Sequence, residues 1–322
     1  MGLCLQGLKN VLRDAVETAL TVYKVVIPVM VVIKILQEIG GISFLAKLFE
    51  PACSLLGLPG SMGLVIASGA FINLYAAMVA YIPLSAQDPL TVAQITVLSS
   101  YILLAHNLLV ETQIARMSGV RVGWTLLLRL GGGLVYCSVL RWALAFFPEF
   151  SMISQPAWQP PAVDASTLGW LFGEAKKLAM IFAIITAAMA ALRLFRHLGI
   201  LKRFEDILHP MIRWSGITRP AISALVVGFF IGLSYGGALI LKDIRDGRVR
   251  GNDVFLVHVF LAGAHALVED TLLMILLGAK MVGIFWGRLL WTAVIVWIAS
   301  LLYRKVSVKL RHRFFARVSS AP

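Results

Sequence analysis

Among the ionisable side chains within or beside the apolar stretches of this sequence, two sets recur in the same order. The first is His106 with Glu111, followed by Arg129; the second is His265 with Glu269 and Asp270, followed by Arg288. Imidazole titrates nearest neutrality, so the histidines are suited to passing protons. With carboxylates beside them they are equally suited to ligating zinc or iron. A third reading is a pair of core histidines hydrogen-bonded across helices. The arginines add either an ion pair that staples each helical hairpin, Glu111 with Arg129 and Asp270 with Arg288, or a direct contact to substrate. HExxH is absent, and Cys4, Cys53 and Cys137 are scattered away from the histidines, so neither a cysteine-based metal site nor a disulfide framework is expected. No phosphate loop, nucleophile–base pair or paired acids point to catalysis, and Gly131-Gly132-Gly133 lies inside an apolar run. The expectation is a protein that is not an enzyme and needs no cofactor.

The elements that position these groups must lie in a membrane. Of 322 residues, 59% are hydrophobic and 14% charged, against about 45–50% and about 25% in soluble domains. Runs near the roughly 20 residues that span a bilayer occur at Val16–Leu36, Val92–Leu109, Val122–Phe147, Leu171–Leu192, Val254–Leu277 and Met281–Leu302. Two more apolar stretches, Met62–Leu84 and Ala221–Leu241, carry glycines and polar groups near their middles. The net charge of +13 resides in loops between apolar runs, which excludes nucleic acid as the partner and marks cytoplasmic loops instead.

The two sets of polar residues belong to a duplicated sequence. Gly40, Pro51, Gly57, Gly69 and Phe71 fall on Gly199, Pro210, Gly216, Gly228 and Phe230, and Thr112, Gly119 and Arg129 fall on Thr271, Gly278 and Arg288. All are separated by the 159 residues that separate His106 from His265. Such a repeat in an apolar chain points to a transporter whose site lies where the copies meet.

Loop charges set the topology. Lys9 and Arg13 place the N-terminus inside, Arg116 and Arg121 form an internal loop, and the linker 148–168 has no Lys or Arg. Arg193, Arg196, Lys202 and Arg203 precede the second mid-polar stretch on the inside; Lys242, Arg245, Arg248 and Arg250 follow it there. Segments 62–84 and 221–241 therefore have both flanks on one side and read as re-entrant hairpins, one entering from each face. The expected fold is an all-α polytopic membrane protein: an inverted repeat of about six transmembrane helices, two opposed re-entrant hairpins and two interfacial helices near Ser43–Leu55 and Leu201–Trp214. Repeat one covers 1–147, an external linker 148–168, repeat two 169–304, and a basic cytoplasmic tail 305–322. The protein is placed in the cell inner (plasma) membrane with both termini cytoplasmic.

Within the hairpins, Ser68, Asn73 and Tyr75 in one copy and Ser234 and Tyr235 in the other are the candidate substrate-binding residues. Broken helices expose backbone groups and half-helix dipoles that hold polar solutes or ions. The hairpin sequences Ser68-Gly69-Ala70-Phe71-Ile72-Asn73 and Val227-Gly228-Phe229-Phe230-Ile231-Gly232, each preceded by an interfacial helix and followed by two spans, resemble the Gate, or nucleoside-recognition, domain. Concentrative nucleoside transporters, the membrane part of ferrous-iron transport protein B and the paired spore-maturation membrane proteins share that domain. The resemblance implies a permease for a small polar solute, a nucleoside among the candidates, bound between the hairpin tips. A divalent metal-ion permease and a non-transporting membrane scaffold are the alternatives. The expected partners are the solute or ion and the lipid bilayer; assembly into dimers or trimers is common for such cores.

Overall fold

The computed structural model describes residues 50–155, 197–232 and 251–307, with scattered positions elsewhere. The expected spans at 16–36 and 171–192, most of the linker, Ser234, Tyr235 and most of the C-terminal tail lie outside the described residues, although Tyr23 donates its hydroxyl to the carbonyl of Leu178 at 2.5 Å. The fold is all-helical, with no strand among the described residues.

After a helical stretch at 50–56, α1 (Met62–Phe71) and α2 (Leu74–Gln87) pack against each other across a two-residue break. Asn73 makes the turn: its backbone is extended, and its side-chain oxygen accepts from Ala76 N, capping α2. At 10 and 14 residues these helices reach about 15 and 21 Å, short of the roughly 30 Å hydrocarbon core. α3 (Val92–Ala105) starts from a capping box in which Thr91 and Gln94 satisfy each other's backbone N–H groups. α4 (Leu108–Met117) continues along the same direction. α5 (Val122–Leu126) passes through a π-helical turn at Leu127–Gly131 into α6 (Gly132–Leu144).

The second half repeats the order. α7 (Ile200–Ile212) is amphipathic, exposing Lys202, Arg203 and Asp206 and burying Leu208 and Ile212. α8 (Arg219–Ile231) corresponds to α1. α9 (Gly251–Ala264) and α10 (Leu267–Leu276) have the bounds of α3 and α4 displaced by one repeat length. A second π-helical turn, Val282–Gly287, leads into α11 (Arg288–Lys305).

Among the described residues, four helical segments are apolar and long enough to cross a membrane: Val92–Met117, Val122–Leu144, Gly251–Leu276 and Val282–Lys305. The first and third are mostly buried and form the centre. The second and fourth lie outside them and present Val135, Val139, Trp142, Leu290, Trp297 and Leu301 outward, as helices facing lipid do. Leu273, Met274 and Leu277, at the end of the second half's broken helix, pack into the first half's apolar core, while Ala115 and Val120 of the first half pack into the second's. The broken helices thus bind the two halves together.

Both central segments depart from the sequence-based expectation of unbroken spans. The chain interrupts its helix at His106-Asn107 and again at His265-Ala266, where Asn107 (φ 54°) and Ala266 (φ 44°) are left-handed. Asn107 N donates to Gly69 O at 2.9 Å, and Ala266 N donates to Gly228 O at 3.0 Å. Each break is therefore tied to the short helix of its own half by the same bond, made at the same repeat position. A Cβ at Gly69 would meet Ile102 Cγ2 at 3.1 Å and Ala77 Cβ at 3.2 Å, so glycine lets α1 approach its neighbours without displacing them.

Candidate functional site

The breaks end α3 and α9 with a histidine each and turn both rings inward. His106 Nδ1 lies 3.1 Å from Ile102 O, and His265 Nδ1 lies 2.7 Å from Leu261 O, the carbonyl one turn back in each helix. A carbonyl only accepts, so each ring carries a proton on Nδ1, and in the neutral rings both Nε2 atoms carry lone pairs. These Nε2 atoms face each other at 3.1 Å, with ring centroids 4.8 Å apart.

The carboxylates reach the same point from the first turn of α4 and α10. Glu111 Oε1 is 3.1 Å from His265 Nε2 and 3.9 Å from His106 Nε2. Asp270 Oδ2 is 3.7 Å from His106 Nε2 and has no hydrogen-bond partner among the described residues. Each half's carboxylate thus approaches the other half's histidine. The sequence places Glu111 near a helix end; in the structure it begins a helix, because the break creates a new N-terminus ahead of it, where a negative charge is favoured.

The arginines hold the breaks. Interrupting a helix frees carbonyls that water cannot reach at membrane depth. Arg129 donates from Nη2 to His106 O at 2.6 Å and forms a buried ion pair with Glu111. Arg288 donates from Nη2 to His265 O at 2.8 Å and from Nε to Gly263 O at 2.6 Å. Both guanidiniums are fully buried. The expected pair of Asp270 with Arg288 does not form within ion-pair distance: Arg288 is oriented by two carbonyls, and Asp270 turns toward His106.

The remaining candidates separate. His265 and Glu269 are four apart but do not share a helix face, because the break at Ala266 lies between them. Glu269 instead accepts from the Tyr75 hydroxyl at 2.7 Å, joining α2 of one half to α10 of the other. Asn73 is engaged in capping α2, and the carbonyl of buried Ser68 accepts from both Ile72 N and Asn73 N at the end of α1. His258, two turns before His265, is buried with Nδ1 2.8 Å from Val254 O, its Nε2 has no partner, and no carboxylate converges on it among the described residues.

Four apolar helices around a buried polar centre define a multi-pass membrane protein. The profile of the Gate family, described as nucleoside recognition, matches residues 19–118. The uncharacterized membrane protein YvoD of Bacillus subtilis (strain 168) is 31% identical over 266 residues, covering 81% of this chain and 84% of that protein. The chain belongs to this Gate family of membrane proteins. No solved structure matches it.

Proposed function

We propose that the protein is a permease for a small polar solute or ion, and that its passage point is the cluster of His106, Glu111, Arg129, His265, Asp270 and Arg288. The observation that carries this reading is the convergence of ionisable groups from both halves on one buried point, at two helix breaks. Each ionisable residue at membrane depth costs about 2.5–3.5 kcal/mol on insertion scales. Apolar residues would hold the same helices together without that cost, so a scaffold has no need of the cluster. Broken helices meeting between repeats are a means of holding and releasing cargo.

In this reading the halves are inverted copies in the inner membrane with cytoplasmic termini, and α1–α2 forms a re-entrant hairpin, as its short helices and one-sided loop charges favour. Tyr75, linked to Glu269, couples the hairpin to the centre, and Ser68 lies on the route. The family description adds nucleosides to the solutes to be tried.

The test is uptake into proteoliposomes, using labelled nucleosides and divalent cations, against empty vesicles. Flux of any one supports the permease; binding and flux of none leaves the scaffold. In parallel, Gln87→Cys and Asp246→Cys should react with impermeant maleimide from opposite faces. Labelling from one face removes the inversion.

A further inference from the structure

We infer that the two histidines and two carboxylates at the helix breaks form a binding site for a first-row divalent transition-metal ion of the zinc class, ligated by His106 Nε2, His265 Nε2, Glu111 Oε1 and Asp270 Oδ2. Two lone pairs facing each other at 3.1 Å repel unless something positive lies between them. Here four acceptor atoms converge, and no donor hydrogen serves the Asp270 oxygen among them.

The dimensions fit an ion. Metal–ligand bonds of about 2.0–2.1 Å in a tetrahedron put neighbouring ligand atoms about 3.3 Å apart. Four of the tetrahedron's six edges measure 3.1, 3.1, 3.7 and 3.9 Å, and the ligand atoms of His106, His265 and Asp270 all lie within 4.8 Å of one another. A proton satisfies one of these contacts and leaves Asp270 without a partner; a dication satisfies all four.

The outer shell is that of a metal site. Ligating histidines have their second nitrogen oriented by a carbonyl or carboxylate, as Ile102 O and Leu261 O do here. Two imidazoles with two carboxylates favour zinc or ferrous iron over magnesium or calcium, which prefer oxygen alone. Arg129 and Arg288 balance the charges of Glu111 and Asp270, so coordination and not net charge holds the ion. That suits cargo that must also leave.

Identifying the ion as cargo rests on the permease reading; the binding site does not. The full-length protein in detergent, stripped with chelator and equilibrated with Zn2+, should retain one ion per chain by elemental mass spectrometry, and Zn2+ should raise its melting temperature. The variant combining His106→Gln with His265→Gln should lose both effects. Asp270→Asn should bind at least tenfold more weakly, and His258→Gln, changing a buried histidine outside the cluster, should bind normally. If the double variant does not fold, X-ray absorption at the zinc edge of the unaltered protein decides: two imidazoles in the first shell are expected. No retained zinc, a shell without imidazole, or equal loss in His258→Gln overturns the site. Zinc binding with no flux of any nucleoside or cation keeps the site and removes the permease; nucleoside flux without zinc binding does the reverse.

Discussion

Removing the Glu111 carboxylate should damage the protein far more than removing its repeat counterpart Asp270, although both are buried and both stand beside a buried arginine. Glu111→Gln leaves Arg129 charged with its ion-pair partner gone and its side chain fully enclosed. Breaking a buried pair on one side typically costs about 3–5 kcal/mol, a loss on the order of 10 °C in melting temperature. Changing Glu111→Gln together with Arg129→Gln removes both charges. The remaining defect is His106 O, which loses the donor now 2.6 Å away, worth about 1–3 kcal/mol. The double variant should therefore be more stable than Glu111→Gln alone. Asp270→Asn should cost far less, because Asp270 makes no ion pair with Arg288, which keeps Gly263 O and His265 O. Recovery of monodisperse protein after heating in detergent, read by size-exclusion chromatography, measures all three. A double variant no better than the single, or Asp270→Asn as harmful as Glu111→Gln, would refute the asymmetry.

Ala266 holds a left-handed backbone at φ 44° without being glycine; Ala266→Gly should stabilise the protein by about 1 kcal/mol, visible as a raised melting temperature. Gly283→Val should be destabilised by about 1–3 kcal/mol from overpacking, since even a Cβ there would meet Thr96 Cγ2 at 2.6 Å and Leu140 Cδ2 at 2.8 Å; thermal melting checks this too. Cys53 and Cys137 are buried, and burial pushes the Cys53 thiol up to about 11, disfavouring the reactive thiolate. In a Cys4→Ser background neither should label with maleimide until detergent denaturation.

The repeat was legible because it is written in residue identity: α3 and α9, and α4 and α10, keep the same bounds at the offset that relates His106 to His265. The helix breaks were not. Neither His106-Asn107 nor His265-Ala266 contains glycine or proline, and the apolar pattern runs through both. What ends the helices is tertiary: the bonds to Gly69 O and Gly228 O and the arginines on the freed carbonyls. For the same reason the sequence offers carboxylates or substrate, and not freed carbonyls, as the partners of the arginines. The Tyr75–Glu269 bond joins residues 194 apart that do not correspond in the repeat, so no periodicity points to it. The repeat carried the choice of polar residues: Arg141 and His258, also within apolar runs, have serine at the corresponding positions.

The central claim, that cargo passes at a point built by both halves, is tested most directly by flux through a protein altered at that point in both halves. Proteoliposomes containing the unaltered protein, loaded with a zinc-sensitive dye, should brighten when Zn2+ is added outside. Vesicles with the His106→Gln and His265→Gln combination, matched for folded protein, should stay at the level of empty vesicles, while His258→Gln vesicles should match the unaltered protein. Undiminished flux through the double variant would contradict the account.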